Sequence, residues 1–203
     1  PARATCTLTV GGDSSLPEDS TLWNAATARF PINDACKVEW TTHVPRSSGL
    51  SGSTALLEAT LLCVLRARGG TVPLGSVDDR TAFAELARDI ELREARIVCG
   101  YQDATVIAHG GLVAMDFAGK HPIDDGPRAQ VKQLNAELPF LLVTTGVERL
   151  SGSVHGPMRD RWLGGDSEVV DAMKTIADLG RTGAEQLVSG DLGRLAEGMK
   201  TNH

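Results

Sequence analysis

The sequence predicts an α+β fold in two lobes, and three patterns carry that reading. Strand-like segments, alternating or rich in β-branched residues, cluster before Thr145, whereas the chain from Pro157 onward reads as helices separated by glycine breaks. Between them, Gly119 to Arg128 is a polar, proline-bearing connection. That order of elements places the break between about residues 120 and 138. The expected organisation is a first lobe over 1–130 and a second lobe over 131–203.

Taken in order, Ala4–Val10 alternates like a strand and turns at Gly11-Gly12-Asp13. Residues 13–36 are polar and irregular apart from a short helical piece, Leu22–Ala26. Lys37–Val44 alternates β-branched and aromatic residues with polar ones and reads as a strand. Leu56–Arg66 is apolar on nearly every side and too long for a typical strand, which predicts a buried helix stopped by Gly69-Gly70. A second helix starts at Asp78-Asp79 and runs to about Ile97, with Phe83, Leu86, Ala87, Ile90 and Ile97 on one face. Gly100-Tyr101-Gln102-Asp103 breaks it, and a short helical piece ends at Gly110-Gly111. Leu112–Phe117 reads as a strand and Pro139–Thr145 as a buried one, followed by a loop over 146–156. Helical pieces follow at Pro157–Leu163, Ser167–Val188 and from Asp191, parted by Gly164-Gly165 and Ser189-Gly190.

Composition narrows the function classes. At 203 residues, 41% hydrophobic and 23% charged, the chain has the balance of a globular protein with a sizeable core. A net charge of -6 argues against a nucleic-acid surface. The longest apolar stretch, Ala55–Leu65, is interrupted by Glu58 and falls short of a membrane span, and no leader pattern stands at the N-terminus. Cys6, Cys36, Cys63 and Cys99 lie far apart with no zinc spacing, so reduced thiols in the cytoplasm are expected. No nucleic-acid or membrane partner is expected, and the oligomeric state stays open.

The chemistry concentrates in Pro45-Arg46-Ser47-Ser48-Gly49-Leu50-Ser51-Gly52-Ser53-Thr54-Ala55, between the Lys37–Val44 strand and the buried helix. Unpaired N–H groups and the positive end of the helix dipole converge there, and an anion fits the place. A Walker loop requires a lysine that this loop lacks, and a dinucleotide motif requires G-x-G-x-x-G, which is also absent. The alternative is a serine-capped helix start with no ligand.

The loop resembles the phosphate loop of the GHMP kinases (galactokinase, homoserine, mevalonate and phosphomevalonate kinases). Pro45, Gly49, Leu50, Ser51, Gly52, Ser53 and Ala55 match that motif in order, with Thr54 replacing the usual serine. Downstream, Glu91 to Cys99, then Gly100-Tyr101-Gln102-Asp103, then Gly110-Gly111-Leu112-Val113-Ala114-Met115-Asp116-Phe117 resemble the family's second motif. The wording of that segment, with Ser151–His155 and Arg159–Asp166, is similar to the glucuronokinase branch, and the likeness runs from about residue 37 to the end.

The resemblance implies a ribosomal protein S5 domain 2-like first lobe and a ferredoxin-like second lobe. It implies ATP and Mg²⁺ as cofactors, and transfer of the γ-phosphoryl group to a hydroxyl of a small sugar or sugar acid, with glucuronate giving glucuronate 1-phosphate. Pro45, Ser48, Gly49, Leu50, Ser51, Gly52, Ser53 and Thr54 would cradle the phosphates, and Ser53 and Glu91 would hold the metal, with Glu94 an open alternative to Glu91. Asp103 would be the catalytic carboxylate; as a residue following Gly-Tyr-Gln, a helix N-cap is its other reading. Gln102, Ser153, His155 and Arg161, with Arg149 and Arg159, are the candidates for substrate. A heptose phosphate, galactose or mevalonate type of substrate is the alternative, as is a nucleotide-binding paralogue without catalysis. The family's N-terminal Asn- and Ser-bearing loop and its C-terminal glycine-rich strand-loop have no counterpart in 1–203, so a piece of a longer enzyme is expected.

Overall fold

A computed structural model of the chain describes residues 3–45, 48–72, 74–121, 126–136, 141, 143 and 152–202, with the backbone alone for 152–155. The chain forms two compact units, one of Pro1–His109 with Thr144–Gly152, the other of Gly110–Val143 with Ser153–His203. The expected division at 130/131 falls inside the second unit, where it would cut a strand pair.

In the first unit, β1 (Ala4–Val10) and β2 (Cys36–Thr42) pair antiparallel, with Ala4 opposite Thr42 and Val10 opposite Cys36. On β2, Cys36 and Val38 are buried while Lys37 and Glu39 are exposed, the alternation expected of a sheet with one covered face. The covering element is α2 (Gly52–Ala67), which packs on β1, on α1 (Thr21–Arg29), on α3 (Val77–Arg93) and on α4 (Gln102–His109). Leu57, Leu61 and Val64, at helical spacing on α2, are fully enclosed and meet Trp23, Phe83, Ala87 and Ile90. Burying a Leu or Phe side chain contributes roughly 1.5–3 kcal/mol, so this cluster dominates the unit's stability. Polar ties cross the layer: Trp40 Nε1 donates to Thr60 Oγ1 at 3.0 Å, that hydroxyl donates to the Leu56 carbonyl at 2.7 Å, and Cys63 Sγ donates to the Cys6 carbonyl at 3.2 Å.

The helix ends follow their local chemistry. α2 stops where Gly69 takes φ +77°, with Gly69 N donating to Arg66 O and Gly70 N to Leu65 O, both at 2.9 Å. α3 starts with a reciprocal cap between Ser76 and Asp79. It ends at Arg93 rather than at Ile97: Arg96 adopts φ +60° and the chain folds back, so that Ile97 N donates to Glu91 O at 3.0 Å.

In the second unit, β3 (Val113–Asp116) pairs antiparallel with β4 (Gln130–Gln133), and three helices follow, α5 (Gly152–Leu163), α6 (Ser167–Ser189) and α7 (Leu192–Asn202). α6 packs on α7 and on β3. The buried strand expected at Pro139–Thr145 lies largely outside the described residues, and its two described members, Leu141 and Val143, are 89% and 71% exposed. Trp162 is half-buried and meets the His121 ring edge-on at 5.7 Å. No helix among the described residues is long and apolar enough to cross a membrane.

Candidate active site

The phosphate-type loop precedes α2 directly. Ser48 Oγ donates to the Pro45 carbonyl at 2.8 Å, Gly49 takes φ +73°, and Ser51, the residue before the helix, takes φ +56°. In that left-handed conformation the Ser51 side chain makes no capping bond, so the serine-capped alternative is not what the loop adopts. The first N–H groups of α2 lack carbonyl partners within the helix, and a left-handed turn before them is the kind of backbone that receives anions. Arg46 and Ser47 lie outside the described residues.

Beside this helix start, α3 presents a buried carboxylate. Glu91 is 3% exposed, and Thr54 Oγ1 donates to its two oxygens at 3.1 and 3.4 Å. Ser53 is exposed, whereas Thr54 is enclosed, so the hydroxyl joined to Glu91 belongs to the residue after the expected one. Burial pushes the Glu91 carboxyl above its ordinary range; the Thr54 bond opposes this, the Asp103 charge adds to it, and Cys99 and Arg88 oppose it in turn. Those partners place Asp103, Arg88 and Cys99 within electrostatic reach of Glu91. Glu94 points elsewhere: Arg29 Nε binds it at 2.7 Å, while Arg29 Nη2 holds Asp89 at 2.8 Å.

Asp103 is exposed in the first turn of α4, inside the helix rather than at its cap, where a carboxylate also complements the dipole. α4 is tied at both ends. At its start, Thr105 N and Oγ1 both donate to the Tyr101 carbonyl, at 3.1 and 2.7 Å. At its end, His109 Nε2 lies 3.1 Å from Thr81 Oγ1, and Arg80 Nη1 donates to the His109 carbonyl at 3.2 Å. The Thr81 hydroxyl donates to Val77 O at 2.8 Å, so His109 Nε2–H is the donor of that pair. Burial and the Arg80 charge lower the His109 pKa, which favours this neutral form.

Three further groups at the site were not singled out from sequence. Glu58, one turn beyond Thr54 on α2, is 4% exposed with Oε1 lacking a hydrogen-bond partner. Burial, and then Glu91, pushes its carboxyl up to about 9. Arg88, also 4% exposed, sets its guanidinium carbon 4.3 Å from the centre of the Tyr101 ring. Cys99 donates to the Arg88 carbonyl at 3.9 Å, and burial, followed by Glu91, pushes its thiol up to about 12. A charged residue within an otherwise apolar run was the available signal for Glu58, and an arginine three residues before Glu91 on the apolar face of α3 was the one for Arg88.

Of the substrate candidates, Gln102 is exposed beside Asp103. Ser153 and His155 lie in the first turn of α5, where the backbone alone is described, and Arg149 lies outside the described residues. Arg161 is held by Asp166 at 2.8 Å and Glu168 at 2.7 Å, and Arg159 by Asp160 at 3.1 Å, all within the second unit.

An uncapped helix start thus lies beside a buried glutamate, with an exposed aspartate within electrostatic reach of that glutamate. Residues 20–111 match the model of the GHMP kinases N terminal domain. It is similar to glucuronokinase 1 of Arabidopsis thaliana, 34% identical over 166 residues, which cover 81% of this chain and 44% of that protein. It is also similar to probable glucuronokinase 2 of the same organism, 33% identical over 167 residues with the same shares. The chain therefore spans less than half the length of the curated relatives it matches.

Proposed function

We propose that the protein is an ATP-dependent sugar kinase that phosphorylates glucuronate at its anomeric hydroxyl. The observation that carries this reading is the convergence, in one unit, of the uncapped α2 N-terminus, the Thr54–Glu91 pair and the nearby Asp103. The likeness to glucuronokinases supports the choice of sugar. The lobe folds of the family, S5 domain 2-like and ferredoxin-like, and a cytoplasmic location belong to the same proposal.

The residues present fit the groups this reaction needs. The N–H groups from Gly49 to Thr54 would take phosphate oxygens, with Pro45 and Ser48 fixing the loop through their hydrogen bond. Among the described residues no cluster of three His, Cys, Asp or Glu could hold a metal by itself. Mg²⁺ commonly binds through one or two carboxylates together with phosphates and water, and a site of Ser53 and Glu91 suits that habit. When bound, the ion neutralises phosphate charge. Thr54 orients Glu91 by donating to it, and the enclosure of Glu91 excludes water from that side. Asp103, exposed on the fixed first turn of α4, would aim the sugar hydroxyl and receive its proton as oxygen bonds to phosphorus and ADP leaves. Gln102, exposed beside Asp103 in the same unit, remains the proposed contact to the sugar acid.

The test is ADP release measured with glucuronate, galacturonate, galactose, a heptose phosphate and mevalonate, on the protein and on Asp103→Asn. Glucuronate should be the preferred acceptor. Asp103→Asn should turn over at least about a hundredfold more slowly while keeping nucleotide affinity and melting temperature. Preference for a non-uronate overturns the substrate, near-normal turnover in Asp103→Asn overturns its role, and no ADP release with any acceptor overturns the kinase.

A further inference from the structure

Asp103 stands in the first turn of α4, which a short connector joins to α3. After Arg93 the chain leaves helical geometry, reverses through Arg96 and resumes as α4 at Gln102. One residue of α3 touches this connector twice. The Arg88 carbonyl accepts the Cys99 thiol at 3.9 Å, and the Arg88 guanidinium lies against the face of Tyr101 at 4.3 Å. Tyr101 is two residues before Asp103, and its carbonyl receives the first hydrogen bonds of α4 from Thr105. A planar guanidinium packed on a ring restricts both the separation and the tilt of that ring, which an ammonium on a flexible stem does not.

The location of the charge is also informative. Arg88 is one turn before Glu91 on α3 and nearly enclosed, where an ionised group is retained only beside compensating charge. Its charge acts on Glu91 in opposition to Asp103, whose carboxylate repels Glu91. The Arg88 charge thus shares one neighbourhood with the Glu91 and Asp103 carboxylates.

We propose that Arg88 is a positioning residue for Asp103: its guanidinium, stacked on Tyr101 and joined through its carbonyl to Cys99, sets the place of the Asp103 carboxylate beside Glu91. This rests on the reading of Asp103 as the group that aims the attacking hydroxyl. Misplacing a reacting group by an ångström can cost on the order of a hundredfold in rate.

Arg88→Lys keeps the charge and removes the planar stack, and Tyr101→Leu removes the ring from the partly exposed side without touching the core. Each should lower kcat for phosphoryl transfer by about ten- to a hundredfold, with the KM for ATP changed by less than about threefold because the α2 loop is untouched. Tyr101→Phe, which keeps the ring face, should restore kcat. Independently of any turnover, hydrogen exchange of the Thr105 amide should quicken at least about tenfold in Arg88→Lys and Tyr101→Leu. If both folded variants exchange Thr105 at the parental rate, the positioning role is overturned whether or not the protein is a kinase. If the fall in kcat is matched by an equal loss of folded protein at the assay temperature, read by urea and thermal unfolding, the effect is general destabilisation and the proposal also fails. If the parent transfers no phosphate while Thr105 exchange responds as stated, the kinase reading fails and the stacking stands.

Discussion

Replacing Glu58 with glutamine isolates the cost of a carboxyl held inside the first unit. The side chain is 4% exposed, one oxygen lacks a partner, and the acid is held protonated to about pH 9 against an ordinary value of 4.5. Between those values the folded protein binds a proton that the unfolded chain has released. Stability is therefore greatest below about pH 4.5 and is lost as pH rises toward 9, the reverse of the behaviour of a salt-bridged carboxylate. Each pH unit inside the window removes up to about 1.4 kcal/mol, so the three units from pH 5 to pH 8 remove at most about 4 kcal/mol. Glutamine does not titrate. Its amide N–H groups add an unsatisfied-donor cost of about 1–3 kcal/mol that is the same at every pH. The difference in slope between the two proteins therefore carries the effect. Glu91, raised in the same direction, contributes to both and cancels. Urea denaturation at pH 5, 6, 7 and 8 should show the parent losing stability steadily relative to Glu58→Gln, the gap shifting by up to about 4 kcal/mol across the range. Parallel pH profiles for the two proteins would refute the reasoning, because they would mean Glu58 is solvated or paired in the folded state.

Two other substitutions follow from local geometry. Arg96 is exposed at φ +60°, a conformation that costs an L-residue about 1–2 kcal/mol; Arg96→Gly should raise stability by about 0.5–1 kcal/mol after glycine's greater unfolded-state entropy is deducted, read as a higher urea midpoint. Thr54→Val keeps the shape but removes the donor to Glu91, and should cost about 1–3 kcal/mol. Thr54→Ser retains the hydroxyl and should cost about 1 kcal/mol, so equal stability of the Val variant and the parent would show the bond to be idle.

Much of the first unit was legible because its segments agree at several levels. Ala4–Val10 has the alternation of a strand and is one, and the long, mostly apolar run after Ala55 left little besides a buried helix. The end of α3 was not legible, since the reversal uses an arginine in a conformation normally left to glycine. β4 carries a single apolar residue, Val131, and exists through backbone pairing with β3, which no side-chain pattern announces. At the site, loop, glutamate and aspartate were readable as a linear motif. Which hydroxyl meets Glu91 was not, because Ser53 and Thr54 are equivalent in sequence and only the rotation of α2 turns one inward. Glu58 was visible merely as an interruption of an apolar run; its meaning depends on Glu91, 33 positions away in sequence and adjacent in the fold.

The fastening of α4 has a mechanical consequence. Eight residues are too few to hold a helix in water, where about 12–15 are needed even for favourable sequences. Here the segment is a short beam fixed at both supports, by the Tyr101 stack on Arg88 at one and by the His109 bonds to α3 at the other. A beam held only at one end would let Asp103 swing, and a ligand would have to arrest that motion on arrival. With both ends held, the freedom of the carboxylate's backbone is already lost when the unit folds. α3, which carries both supports, becomes the frame against which the bearing of that carboxylate is measured.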